Sequence, residues 1–228
     1  MEEEDKTDSD GRVTSRSRKD YEVFYIGDEE VRRLVGKDGK PLDADEKKHE
    51  DDRFNKRFDE LTKKQAELAA DPKKQAKKEE QEEAQISDFL RAELFTNPRR
   101  ATFQSEDVIV FDFAGNPGYK PKKTIDRVIQ KLSGVMWVDD QAREIARLEA
   151  HFSESAHVGG GLVASIDKGS NLVFEQKKLN EEVWLPSYAE VHFAGRIVVV
   201  KLRQNFIDRY SDYKKFHVGA TVSPAPPN

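Results

Sequence analysis

The stretch "EEVWLPSYAEVHFAGRIVVVKLRQNFIDRYSDYKKFHV", residues 181–218, constrains this chain more than any other. It reads as three strands laid back and forth. Successive side chains of a strand point to opposite faces, so a sheet with one wet face alternates apolar and polar residues. Here Val183, Leu185, Ala189, Val191 and Phe193 share one parity while Trp184 and Tyr188 take the other, so both faces carry apolar bulk. Such a sheet has to curl or be covered.

The charged fraction is 36%, equal to the hydrophobic fraction, which is high for a compact domain and implies that part of the 228 residues is solvated. A net charge of −5 and a pI near 5.7 give no general attraction to nucleic acid or anionic lipid. No basic stripe interleaved with aromatics appears, so nucleic acid is not an expected partner. The absence of cysteine removes disulfides, thiolate metal sites and cysteine nucleophiles together. No apolar run approaches the roughly 20 residues that span a bilayer, so no transmembrane segment is expected. The start, "MEEEDKTDSDGR", is acidic and lacks the apolar core of a signal peptide. Either the protein is cytoplasmic or the chain is a mature fragment beginning at an added methionine.

Along the chain, residues 1–11 read as a disordered acidic tail. A β-hairpin follows: Tyr21, Val23 and Tyr25 share a parity, Val31 to Val35 returns, and "GKDGKP" turns. Residues 43–95 are nearly all Lys, Glu, Asp, Gln and Ala and read as a charged helical arm, an insertion folded as a helical hairpin. Phe54, Phe58, Leu61 and Leu68 stripe its first helix, "AADPKK" breaks it, and Ile86, Phe89, Leu90 and Leu94 stripe a second helix to about Phe95. This arm is a solvated appendage or a dock for a protein partner. From "TNPRR" onward sheet patterning returns, interrupted by an amphipathic helix at 124–132, with Thr124 as N-cap, Ile125, Val128, Ile129 and Leu132 on one face, and Gly134 as its stop. "VMWVDDQAREIARLEAHF" reads as strand, turn and strand, "GGGLVASIDKGSNLVFEQKKL" as a hairpin turning at "DKGSN", and residues 219–228 as a Pro-rich tail. The expected fold is mainly β with helices (α+β). One strongly bent antiparallel sheet or unclosed β-barrel of about ten strands spans 12–218 as a single domain, with a helical lid and the charged helical hairpin inserted.

Catalytic patterns are missing. His151, His157, His192 and His217 sit on strands or strand ends without ligand spacing, and His49 lies in the arm. Asp139 and Asp140 fall where a hairpin turn needs polar residues, and Gly159 to Gly161 has no P-loop lysine and threonine after it. No catalytic residue, metal or cofactor is expected, and the chain reads as a non-enzyme. What stands out is aromatic and aliphatic bulk, either ordinary core or the lining of an apolar concavity. The candidates are Phe111, Phe113, Trp137, Leu148, Phe152, Trp184, Tyr188, Phe193 and Phe206, with Phe103 and Phe174 beside them.

The order of "SGVMWVDDQAREIARLEAHF", "EEVWLPSYAEVHF" and "DRYSDYKKFHV" resembles the outer-membrane lipoprotein carrier and sorting proteins of the Lol type, with their LolA/LolB-like fold, and related bacterial envelope proteins. The matching positions are Trp137 to Asp139, Trp184 to Pro186 and Tyr210 to Phe216, within a resemblance spanning about residues 100–218. It implies an unclosed barrel with a helical lid formed by Ile125, Val128, Ile129 and Leu132. It also implies binding of lipid acyl chains or a lipidated protein in the periplasm or cell envelope, and it favours the mature-fragment reading of the chain's start. Arg147 and Arg196 are the candidates for the family's basic lid-locking residue. The charged insertion at 43–83 departs from the pattern. The alternative is an assembly module in which the arm docks a partner and the sheet is a scaffold.

Overall fold

The computed structural model describes residues 1–8, 12–26, 29–71, 73–76, 87–158, 163–180, 183–198 and 200–213. Four strands come first: β1 (Glu2–Thr7), β2 (Val13–Ile26), β3 (Glu29–Lys37) and β4 (Lys40–Pro41). Helix α1 (Ala44–Ala70) follows, then β5 (Glu93–Phe103), β6 (Glu106–Gly115) and the short helix α2 (Thr124–Ile129). The remainder is strand: β7 (Leu132–Asp139), β8 (Ile145–Phe152), β9 (Ala156–Val158), β10 (Ala164–Ile166), β11 (Asn171–Leu179), β12 (Val183–Ile197) and β13 (Val200–Arg209). They form one antiparallel sheet in the order β4-β3-β2-β1-β13-β12-β11-β8-β7-β6-β5, with β9 and β10 attached beside β12. Its ends do not meet, so the barrel is unclosed.

Thirteen strands exceed the ten or so expected, and one reason is the N-terminus. Residues 2–7 are not a tail but the strand that joins β13 to β2. An acidic segment suits this place because several side chains around it are basic or amidic, although Glu2 lies opposite Asp208 and Glu4 opposite Phe206. Asp5 pairs with Arg16 at 2.8 Å, Glu3 with Arg209 at 2.9 Å, Glu2 with Lys19 at 3.4 Å, and Glu4 accepts from Gln204 at 3.0 Å. Cross-strand charge complementarity here replaces apolar packing.

The arm is likewise part of the body over its first half. Asp43 and Glu46 cap α1 reciprocally, Glu46 N donating to Asp43 Oδ1 at 2.8 Å and Asp43 N to Glu46 Oε2 at 3.3 Å. From about three turns along, Phe54, Phe58 and Leu61 meet Phe24, Ile26 and Val31 in a closed cluster on β2 and β3. Glu50 accepts from the edge N–H of Leu34 at 2.9 Å, so the helix also blunts the outer edge of β3. The second helix does not run to Phe95: residues 87–92 are helical, and β5 begins at Glu93. Residues 77–86, and with them the rest of the expected hairpin, lie outside the described residues, as do 214–228.

Two turns follow from local chemistry. Asp38 and Gly39 take positive φ of 50° and 75° between β3 and β4, which "KDGK" anticipates. Asp139 accepts the N–H groups of Gln141, at 2.8 Å, and Ala142, which anchors the turn. Two expectations shift. Strand β10 is no hairpin partner of β11; it pairs with β9 and with Gly195, Arg196 and Ile197 of β12, so the chain at "DKGSN" changes neighbours as it turns. Helix α2 ends at Ile129, and Leu132 and Gly134 belong to β7, where any Cβ at 134 would stand 1.9 Å from the Glu149 carbonyl oxygen.

The loop before α2 is organised by Asp126. Its Oδ2 accepts from the backbone N–H of Lys122 at 2.9 Å and Lys123 at 3.0 Å and from the Tyr119 hydroxyl at 3.1 Å. The Lys123 amide foremost, against the opposing effect of burial, holds this carboxyl below the usual range. Replacing Asp126 by Ala should lower the melting temperature by several degrees, because three donors lose their acceptor. That loss should vanish as the pH falls below the ordinary aspartate range, where the wild-type carboxyl is itself protonated; melting curves at neutral and acid pH check both parts.

Candidate functional site

The pairing registers sort side chains onto two faces. Phe111, Met136, Leu148, Phe174, Ala189, Asp208, Glu2 and Lys19 follow one another across β6, β7, β8, β11, β12, β13, β1 and β2 as one row. A second row on the same face is Phe113, Gly134, Ala150, Leu172, Val191, Phe206, Glu4 and Ser17. Both rows are apolar from β6 to β12, and Phe206 carries the second onto β13. This stripe covers five strand spacings, about 24 Å.

Phe113, Met136 and Ala150 are buried, with Phe95, Phe111, Leu132, Val138, Ile145, Leu148 and Leu172 packed around them. Phe89, from the helical residues 87–92, lies against Phe95 and Phe113 at 6.2 Å and 6.4 Å between ring centroids. Towards β12 and β13 the side chains Phe174, Val191, Phe193 and Phe206 are only half-buried. Helix α1 lies on the opposite face and α2 packs beside β9, so neither covers this part of the stripe. A depression of about 590 Å³ opens over β7, β8 and β11 at this level, lined by Phe113 and Leu172 together with Ser133, Glu149, His151 and Asn171.

At the β1 end the stripe becomes ionic. Arg32 of β3 donates to Asp208 of β13 at 3.0 Å, to Glu2 at 3.2 Å, to the Tyr210 hydroxyl at 2.8 Å and to Glu30, and lies over the rings of Tyr21 and Tyr210. Strands β3 and β13 are three spacings apart, about 14 Å on a flat sheet, and strand side chains stand roughly perpendicular to it. The contact therefore requires the sheet to curl towards the stripe face here. Burial pushes the Tyr210 and Tyr213 hydroxyls up to about 12, and burial with the Glu30 charge pushes Tyr25 higher still. Burial opposes the charge of Arg32, but the Glu30 hydrogen bond and the surrounding acids outweigh it and raise its pKa. The cluster is an ion network centred on Arg32, within which Asp208 Oδ1 and the Tyr213 hydroxyl have no hydrogen-bond partner among the described residues.

The nine sequence candidates do not line one concavity. Phe111, Phe113, Leu148, Phe152, Phe193 and Phe206 lie on the stripe face by register. Trp137 and Trp184 belong to a different cluster with Val108, Val110, Ala146, Phe103 and Val135 on the other face, and Tyr188 points the same way, opposite Glu175, with its hydroxyl on Glu190 at 2.6 Å. The reason is that β11 outruns β8: only Asn171–Glu175 pair with it, and the projecting β11–β12 end folds over. That brings Lys178 to Glu106 of β6 at 2.9 Å and Trp184 into the cluster, closing an ordinary core. Arg147 pairs with Glu149 and Glu175 and covers the Trp137 ring at 5.6 Å, on the core face and away from α2.

As for the lid, Ile125 is 56% exposed, and the stripe cluster includes Leu132, as a strand residue, but not Ile125, Val128 or Ile129. Sequence reasoning missed Met136, Ala150 and Leu172, which complete the rows. Ala150 and Leu172 share the parity of Phe152 and Phe174, whereas Met136 alternates with Trp137 and is brought into the row only by its pairing with Phe111 and Leu148. Among the described residues no three His, Asp or Glu converge to hold a metal ion, and His192 is held by Asn205 and Glu190 at 2.9 Å and 2.8 Å. Among the described residues no helix is long and apolar enough to cross a membrane. No protein-family profile, curated protein or solved structure matches the chain.

Proposed function

We propose that this protein is a non-enzymatic binder of lipid acyl chains, free or as part of a lipidated protein, which it holds along the stripe face as a carrier of the bacterial cell envelope. The observation that carries this reading is the stripe itself. Two adjacent rows of apolar side chains run without interruption from β6 to β12 and remain half-buried over their second half. A contiguous apolar face that no neighbouring element fully covers can take an apolar ligand. The stripe is closed by packing over β6 and β7, so an acyl chain would lie on its half-buried part from β11 to β13, two strand spacings or about 10 Å wide. The ionic network beside it gives an amphiphile's head a polar neighbourhood. The Lol-type resemblance points to the same ligand class and compartment.

Phe174 sits in the middle of the first row and outside the buried clusters. Replacing it by Asp should lower uptake of a fluorescent fatty acid at least tenfold, while Phe174→Leu keeps it and both variants melt as the wild type. No uptake by the wild type, or equal uptake by Phe174→Asp, would remove the proposal. The assembly-module reading loses ground on one point: the face of α1 that could dock a partner is occupied by Phe24, Ile26 and Val31.

A further inference from the structure

The turn between β12 and β13 is built from the wrong residues for a turn. Ile197 and Val200 face each other as the last pair of the ladder; Val198 follows Ile197, and Val199 lies outside the described residues. Two-residue hairpin loops favour Asn-Gly or similar pairs, since their backbone needs positive φ. Val198 nevertheless has φ of 54°, a costly conformation for a β-branched side chain. It also gains nothing by burial. Val198 is 58% exposed, Val200 57%, Ile197 51%, and neighbouring Val163, whose carbonyl accepts from Val198 N at 2.8 Å, 54%. Four branched apolar side chains thus stand together in water at the far end of the longest hairpin.

Two further facts give this tip a direction. Behind the apolar residues sit Arg196 and Lys201, paired across the ladder, and then Arg203, a basic collar on a chain of net charge −5. On the stripe face, Ile197 and Val200, Gly195 and Leu202, Phe193 and Gln204, and Val191 and Phe206 succeed one another down the hairpin. Apart from Gln204 this is an apolar track from the tip to the second row of the stripe.

We infer that the β12–β13 tip docks the protein on a lipid bilayer containing anionic lipid, inserting Ile197, Val198, Val200 and Val163 among the acyl chains while the collar meets the headgroups. Apolar tips with basic flanks gain from both contacts at an interface. The strain at Val198 is retained because the residue that would relieve it, asparagine, could not enter hydrocarbon. The inference extends the acyl-chain reading by naming where the chain would enter, yet docking needs only the tip.

The test is sedimentation with vesicles of three parts phosphatidylcholine to one part phosphatidylglycerol. Wild type should co-sediment. Val198→Asn should lose binding at least tenfold while melting at the same or a higher temperature, because asparagine tolerates positive φ. Ile197→Ser with Val200→Ser should lose binding too. A wild type that stays in solution, or a Val198→Asn variant that binds as the wild type does, overturns the inference; the latter result means surface attraction without insertion. Fatty-acid uptake without vesicles reads the stripe alone, so the tip and the stripe can fail separately.

Discussion

Removing residues 1–7 should cost the protein its fold as one unit. Strand β1 lies between β13 and β2, so its loss leaves an edge of each unpaired and detaches the β2–β4 and α1 unit from the rest of the described sheet. The Arg32 network loses Glu2, and Arg209 loses Glu3 and the Met1 carbonyl. The expected loss is above about 5 kcal/mol, comparable to the whole stability of a small domain. In urea, wild type should unfold in one transition followed equally by circular dichroism and by tryptophan fluorescence. The truncated chain should lose sheet signal in water or unfold in two separated steps. One cooperative transition at the wild-type midpoint would show that the acidic segment is dispensable.

Glu93 should make stability fall steeply with rising pH. It opens β5 opposite Gly115, is 2% exposed, and neither carboxyl oxygen has a partner among the described residues. Burial pushes its pKa from 4.5 to about 8. Between these values the folded chain keeps the proton and the unfolded chain has released it, so unfolding is favoured increasingly as pH rises. The contribution is fully present below the unfolded value and lost by about pH 8, at about 1.4 kcal/mol per pH unit, or roughly 3 kcal/mol by neutrality. Glu93→Gln keeps the shape without the charge. Urea titrations from pH 5 to pH 9 should therefore show the two proteins close at the acid end and the variant more stable by a few kcal/mol at the alkaline end. A difference independent of pH would mean that the carboxyl has a partner or is hydrated.

Much of the fold was legible because the signals were local. The β2–β3 hairpin, the "KDGK" turn, the strand, turn and strand around Asp139, and the Phe54, Phe58 and Leu61 stripe all follow from neighbours in sequence. What was not legible depended on distant partners. Residues 2–7 look like a tail until Arg16, Lys19 and Arg209 lie beside them. Trp184 looked like a binding residue, and its place in a core comes from β11 outrunning β8, a length mismatch that no single strand reveals. The parity pattern of β12 misled in part, because the register shifts between Glu175 and Gln176 of β11 and takes Val183 and Leu185 off the face that Ala189 and Val191 share. The short helix at 124–129 illustrates the limit of periodicity: Ile125 fits an apolar face in sequence and stands in solvent in space.

The central claim is that an acyl chain lies on the stripe and not in the Trp184 core. Amide and methyl NMR spectra of the protein, with a spin-labelled fatty acid added in stages, measure this directly. Line broadening should be strongest at Phe174, Ala189, Val191 and Phe206 and weaker at Val108, Val110 and Ala146. Broadening centred on Val108, Val110 and Ala146, or none anywhere at saturating probe, would contradict it.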